Sequence, residues 1–178
     1  MLAPDDIDFR SFSDRETFTL DLLTTLADIL ETAIGRDDAE GFIDLVANRL
    51  GRDFSAGLDA LPADPQAVAD TLIALKRRID GDFRVERAEP REIILTNTRC
   101  PFGDRVKGRP SLCAMTSGVF GRVAADKLGF ARVRLEQTIA SGHPCCRVVI
   151  RPDSALAETA PGPEEKDYFA QTGTRDAD

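Results

Sequence analysis

The chain has 178 residues, 42% hydrophobic and 30% charged, which favours one folded domain with its own hydrophobic core. Its formal net charge of −8 disfavours direct nucleic-acid binding, because that binding depends on neutralising phosphates. No apolar run is long enough to span a membrane, and the acidic start is unlike a secretory signal, so we expect no membrane association and a cytoplasmic protein with reduced thiols.

Three helices are predicted in the first half of the chain. Residues 1–12 are expected to form a flexible leader before the folded domain, which we place at residues 13–152. A capping box over residues 13–16 opens the first helix, Gly35 ends it, and Gly51 and Gly57 break the second helix. The third opens at Asp64-Pro65, because proline is well tolerated at the first helical position. Residues at helical spacing are expected to face the core: Phe18, Leu22, Leu26 and Ile29, then Phe42, Val46 and Leu50, then Val68, Leu72, Leu75 and Ile79.

The periodicity changes after residue 80. Phe83 and Val85 alternate with charged residues, and a buried run follows over residues 93–95, a pattern typical of a hairpin. A fourth helix is predicted over residues 111–128, followed by a second hairpin with strands near residues 131–135 and 146–150. This order predicts an α+β fold, in which the N-terminal helices and the fourth helix pack on one face of an antiparallel sheet of two hairpins. Residues 153–178 are acidic and poor in large apolar residues, and are predicted to form a disordered tail.

All four cysteines lie close together in the sequence, at Cys100, Cys113, Cys145 and Cys146, a stretch of 47 residues. Thiolates are soft ligands, and a single buried cysteine would serve as a small hydrophobe, whereas four cysteines at chain turns favour a shared metal or cluster. Neighbouring residues of a strand point to opposite faces, so Cys145 joins Cys146 in one site only if the chain is irregular there.

Two occupants suit this set of ligands. A [4Fe–4S] cluster can be held by three thiolates with one iron left open, and the proline after Cys100 favours this occupant. A zinc ion needs a fourth ligand, for which Cys145, His143 and Asp104 are the candidates.

Four segments carry a resemblance to a known family: residues 75–83, 97–104 (Asn-Thr-Arg-Cys-Pro-Phe-Gly-Asp), 108–117 and 142–149. The stretch from Leu75 to Ile150 resembles the methanogen output domain family, and its topology is similar to that of vinyl-4-reductase-type sensor domains. The resemblance implies a place at the output or sensory end of signal transduction. It also implies that Cys100, Cys113 and Cys146 stand at the family's cysteine positions, whereas glycine often stands at the position of Cys145.

Together these observations predict a non-enzymatic sensor or signalling domain, whose iron–sulfur cluster responds to redox state, oxygen or nitric oxide. Its expected partners are another signalling protein and a gas or small-molecule ligand. One alternative is a zinc-stabilised domain that binds a small molecule. A lower-ranked alternative is a thiol enzyme that uses Cys100 or Cys146 with His143 as base. Leu20 and Leu23 widen the apolar face of the first helix, which predicts a homodimer.

Overall fold

The computed structural model describes residues 14–171. Within that range the α-helices are α1 (Arg15–Ile34), α2 (Arg36–Ser55), α3 (Pro65–Arg77) and α4 (Ala114–Leu128). The strands are β1 (Arg84–Glu89), β2 (Glu92–Asn97), β3 (Phe130–Gln137), β4 (Cys146–Arg151) and β5 (Glu165–Phe169). They form one antiparallel sheet in the order β1-β2-β4-β3-β5. The predicted α+β class is confirmed.

Local capping explains where two of the helices begin. The Asp14 carboxylate accepts a hydrogen bond from the Thr17 amide at 2.8 Å, and Asp64 does the same for the Ala67 amide at 2.9 Å. These bonds satisfy amides that have no partner within the helix. The predicted leader of residues 1–12 and residue 13 of the predicted capping box lie outside the described residues. None of the helices in residues 14–171 is long and apolar enough to cross a membrane.

Helix α4 is the centre of the structure, because it lies between the sheet and α2. A side chain at Gly118 would meet Ala47 of α2, and one at Gly121 would overlap the ring of Tyr168 on β5. These two glycines therefore let a helix and a strand approach α4 closely. Phe120 of α4 is fully buried and packs edge-to-face on Phe83, with 5.3 Å between ring centroids.

The second helix differs from the prediction in extent and orientation. It continues through Gly51 to Ser55, and Gly51 packs directly against the side chain of Arg122 on α4. The residues that α2 buries are mostly small: Ala39, Ile43, Ala47 and Gly51. The predicted inward residues of this helix instead face solvent: Phe42, Val46 and Leu50. The prediction was wrong because the close approach to α4 accepts small side chains better than large ones.

The predicted disordered tail is wrong over residues 153–171. Its segment β5 pairs with β3 and extends the sheet to a fifth strand beyond the two predicted hairpins. The acidic residues that suggested a solvated tail are partners of buried arginine: Arg132, 5% exposed, donates to both Asp167 oxygens at 2.6 and 2.7 Å. Such a bidentate pair is strong and directional. Residues 172–178 lie outside the described range.

Candidate cofactor site

A structured loop, which we call the cysteine loop, runs over residues 100–113 from the end of β2 to the start of α4. Two 3₁₀ turns shape it, Gly103–Val106 and Pro110–Cys113. Asp82 fixes its entry by accepting hydrogen bonds from the amides of Thr98 and Arg99 at 3.0 and 2.7 Å. Cys100 and Cys113 thus stand at the two ends of this loop, and Asp82 anchors the end that carries Cys100.

Three of the four cysteines line one partly enclosed space, which we call the cysteine cavity. Cys100 and Cys113 come from the cysteine loop, and Cys146 comes from the first position of β4, paired with Asn97 on β2. The cavity measures about 30 Å³, enough for roughly two water molecules. Most of its remaining wall is apolar, including Phe83, Pro101, Phe102, Val106, Leu112, Leu135, Ile139, Ala140 and Val148.

Each of the three cavity thiols has a hydrogen-bond donor beside it. The Ile139 amide donates to Cys146 Sγ at 3.4 Å, the Phe102 amide donates to Cys100, and Cys113 bonds with the Thr138 hydroxyl. Donors of this kind stabilise a thiolate, and hydrogen bonds to sulfur tune a bound cluster.

Burial outweighs these donors while the cavity thiols are free. Desolvation, followed by the influence of the neighbouring cysteines Cys146 and Cys100, raises the pKa of Cys113 to about 12. Desolvation also raises the pKa of Cys100 and of Cys146. The three groups are therefore neutral thiols at pH 7 unless a positive charge binds among them.

A buried lysine lies next to the thiols. Lys76 of α3 is 4% exposed, its Nζ donates to Thr116 Oγ1 at 2.9 Å, and it lies 5.2 Å from the ring centroid of Phe120. Desolvation lowers its pKa from 10.5 to about 8, and attraction to the three cavity cysteines partly offsets that effect. An ammonium ion without a carboxylate partner is costly to bury, so this one is suited to a site that becomes negative.

An unsatisfied polar atom also points to an occupant. Asn97 is 3% exposed and lines the cysteine cavity. Its Nδ2 donates to the Arg99 carbonyl at 2.7 Å, but its buried Oδ1 has no hydrogen-bond partner among residues 14–171. Buried polar atoms nearly always have partners, so the cavity presents an acceptor that a bound species or water would satisfy.

The thiols do not converge tightly enough to hold a single ion in this conformation. Among residues 14–171 no group of three or more His, Cys, Asp or Glu side chains has the geometry of a mononuclear metal site. The donor set itself fits an iron–sulfur cluster, in which each thiolate binds a different iron and the sulfurs stay apart. The volume of the cavity is smaller than such a cluster, so the cysteine loop would have to move outwards to admit it.

The other proposed ligands are not among the residues that line the cavity. Cys145 precedes β4 and its thiol donates to Gln137 Oε1 at 3.2 Å. His143 Nδ1 lies 3.2 Å from the Thr138 carbonyl oxygen, and Asp104 is paired with Lys107 at 2.6 Å. The structure therefore brings together three of the four predicted cysteine ligands. None of the candidates for a fourth ligand lines the cysteine cavity.

Sequence reasoning missed Lys76, Asn97 and Thr138. A signal existed for Lys76, which continues the buried row of α3 through Val68, Leu72 and Ile73 at helical spacing. A lysine in a row of buried apolar residues means either that the row is not buried at that position or that the lysine has a function there. Asn97 and Thr138 gave no comparable signal, because their roles arise only when β2 and the turn after β3 meet.

The cysteine loop is tied to α1 by charged contacts. Arg105 Nε donates to Asp21 at 2.6 Å, and Arg109 binds both carboxylate oxygens of Asp28 at 2.6 and 2.7 Å. The Ser111 amide donates to Glu31 at 3.2 Å. Side chains of α1 between Asp21 and Glu31 thus contact the segment that carries Cys100 and Cys113.

The sequence matches a known protein family. Residues 22–151 match the family described as methanogen output domain 1, a range that includes the three cavity cysteines and Lys76. No curated protein matches the chain.

Proposed function

Because the chain belongs to the methanogen output domain 1 family, we propose that it is a non-enzymatic sensor whose cysteine cavity holds an iron–sulfur cluster, preferably [4Fe–4S]. Membership of an output-domain family indicates a role in signalling. The proposal adds the input: the cluster responds to redox state, oxygen or nitric oxide, and the response reaches another signalling protein. The domain is further proposed to act as a homodimer.

One observation carries this proposal: three thiols line one apolar cavity, and a buried ammonium group next to them bonds to Thr116 of the cavity wall. Cys100, Cys113 and Cys146 would hold the cluster, and Lys76 would offset part of the negative charge of their thiolates. A bound iron–sulfur cluster supplies a group that can exchange an electron or react with oxygen or nitric oxide. The apolar wall limits the access of water and thereby influences reduction potential.

Zinc is the second candidate, and the size of the cavity favours it. A space of about 30 Å³ suits a single ion better than a cluster. A zinc ion would require each of the three cavity sulfurs to come within about 2.3 Å of it. Its fourth ligand would be a group other than these three cysteines. In that case the metal would be structural, and the signal would be a small molecule bound elsewhere in the domain.

The thiol chemistry supports a non-enzymatic role. A catalytic cysteine needs a thiolate at neutral pH, yet burial raises the pKa of all three cavity cysteines. His143 does not line the cavity, so it is poorly placed to act as a base for them. These features favour ligands over nucleophiles.

The contacts of the cysteine loop support a route for the signal. Occupancy of the cavity by a charged group would set the positions of both ends of this loop. Arg105 and Arg109 lie inside the loop and bind Asp21 and Asp28 on α1. A shift of the cysteine loop would therefore displace α1. The loop and α1 together would form a two-state element of the kind found in conformational switches.

We expect anaerobically purified protein to be brown. Its spectrum should show a broad band near about 400 nm, with about four iron and four sulfide per chain. Iron, sulfide and zinc should be assayed on the same sample, and exposure to oxygen or nitric oxide should bleach or shift the band. A colourless protein with one zinc would overturn the cluster in favour of the second candidate. A protein without metal would contradict both.

A further inference from the structure

Helices α1 and α2 present their largest apolar side chains to solvent. On α1 these are Phe18, Leu22, Leu23, Leu26, Ile29 and Ile34. On α2 they are Phe42, Leu45, Val46, Leu50 and Phe54. We call these eleven side chains the outer helical face; their exposed fractions run from 40% to 71%. Within residues 14–171 only Ile79 and Phe169 are large apolar residues of comparable exposure elsewhere.

This exposure follows from how the two helices pack within one chain. The buried row of α2 consists mainly of small residues against α4, and the fully buried positions of α1 are Thr24 and Ala27. Most of the exposed residues recur three or four positions apart along each helix, the pattern of a face that packs against another protein layer. Each helix therefore has two packing faces, and the chain itself covers only one of them.

We propose that the outer helical face is the interface of a homodimer, in which a second copy of the chain covers it. The inference does not depend on the cofactor. It follows from the area of the face, from its charges and from what else the chain could place there.

The area is sufficient for a stable dimer. A half-exposed side chain of this size leaves roughly 80 Å² accessible, so the eleven leave roughly 900 Å² per chain. That exceeds the roughly 300–600 Å² of the largest apolar patch on a typical monomer. It matches the roughly 800 Å² that each partner contributes to an interface of standard size.

The charges around the face allow a second copy to approach. The chain carries a net charge of −8, so two copies repel each other unless the contact surface is locally balanced. On α2, Arg36 pairs with Glu40 at 3.1 Å and Arg49 pairs with Asp53 at 4.0 Å. The acidic residues Asp21 and Asp28 of α1 are bound by Arg105 and Arg109. Four of the nine acidic side chains on the two helices are thus paired with arginine within the same chain, which reduces the repulsion between two copies.

The sequence outside the described range offers too little apolar surface to cover this face. Residues 172–178 contain no large apolar residue. Residues 1–13 contain five, interrupted by three aspartates: Met1, Leu2, Ile7, Phe9 and Phe12. Five such side chains cannot cover eleven that extend along two helices of 20 residues each, each helix about 30 Å long.

The proposed dimer interface is also connected to the cysteine loop through α1. One side of α1 holds Arg105 and Arg109 of the loop, and another side contributes six residues to the outer helical face. A displacement of α1 would therefore change the packing between the two copies. This connection deepens the proposed function and rests on it, whereas the dimer itself stands without it.

The test is the mass of the full-length protein in solution by light scattering and sedimentation. We expect twice the 19.4 kDa chain mass at micromolar concentration. The double variant Leu26→Glu/Leu45→Glu should be monomeric, with the dissociation constant raised at least about 100-fold, since each dimer would bury four unpaired carboxylates. Both positions are exposed within the chain, so circular dichroism should show an unchanged fold.

The matched control is Ile79→Glu, which places the same charge on a residue that is 51% exposed and lies outside both helices. This variant should remain dimeric. A wild-type protein that is monomeric at about 100 μM would overturn the proposal, because standard interfaces hold at that concentration. So would a Leu26→Glu/Leu45→Glu variant that stays dimeric, since the contact would then lie elsewhere. Neither result would affect the cofactor proposal, which is judged by iron and sulfide content.

Discussion

Replacing Cys113 with serine is expected to abolish bound cofactor, whereas replacing Cys145 with serine is expected to leave it intact. Cys113 is the most buried of the cavity thiols and stands between the cysteine loop and α4. A serine hydroxyl keeps its proton at neutral pH and is a poor ligand for the soft metals that thiolates bind. The same loss is expected for Cys100→Ser and Cys146→Ser, because all three sulfurs line one cavity.

Cys145→Ser is the matched control because it makes the same chemical change one residue from Cys146. Its thiol donates to Gln137, and a serine hydroxyl can make the same bond. Iron, sulfide and zinc content after anaerobic purification is the measurement, with circular dichroism to confirm that each variant is folded. Full cofactor content in Cys113→Ser, or loss in Cys145→Ser alone, would contradict the assignment of the site.

Lys76→Met is expected to stabilise the metal-free protein and to weaken retention of the cofactor. In the metal-free state Lys76 is a buried charge whose pKa is lowered to about 8, which corresponds to a penalty of about 3 kcal/mol at pH 7. Methionine keeps the apolar stem and removes the charge, so we expect a gain of about 1–3 kcal/mol in the free energy of unfolding. With three thiolates bound to a cofactor, the same change removes a nearby positive charge and should lower affinity about 10–100-fold.

The pH dependence of this gain has a defined sign. The folded pKa of Lys76 is about 8 and its ordinary value is 10.5, so between these values the unfolded chain holds a proton that the folded protein has released. Wild-type stability therefore rises with pH through this window relative to the variant. The advantage of Lys76→Met should shrink by about 1 kcal/mol from pH 7 to pH 9. Burial raises the pKa of the cavity cysteines in both proteins; because the charge of Lys76 lowers the pKa of Cys100 and Cys146, its removal keeps these thiols neutral to a higher pH.

Urea unfolding of the two metal-free proteins at pH 7 and pH 9 measures this effect. Lys107→Met is the control, since Lys107 lies in the cysteine loop with 61% of its side chain exposed and should give no such gain. Lys76 would be only a packing residue if metal-free Lys76→Met were less stable than metal-free wild type at pH 7. The same conclusion would follow if the variant bound the cofactor as tightly as wild type does.

The sequence was sufficient to predict the elements that depend on local signals. The Asp64-Pro65 cap and the change to strand periodicity after residue 80 both depend on near neighbours, and each matches the structure. The family resemblance extended this to the grouping of Cys100, Cys113 and Cys146.

The sequence was insufficient where long-range partners decide the outcome. The acidic composition after residue 152 predicts a solvated segment, whereas in the structure Asp167 of this segment binds the buried Arg132. The spacing of Phe42, Val46 and Leu50 predicted that they belong to the core. In the structure, α2 instead packs against α4 through its row of mostly small residues. Within a single chain these large residues remain exposed, which is why the same pattern that misled the prediction supports the homodimer.

Hydrogen exchange of the full-length protein, with its cofactor bound and after removal, tests most directly whether the cysteine cavity communicates with α1. We predict that removal speeds amide exchange in residues 100–113 and in α1 together, because Arg105 and Arg109 connect them. Exchange in β1, which has no residue in the cavity wall, should stay unchanged and serves as the internal reference. A change confined to the cysteine loop, with α1 unaffected, would contradict the account.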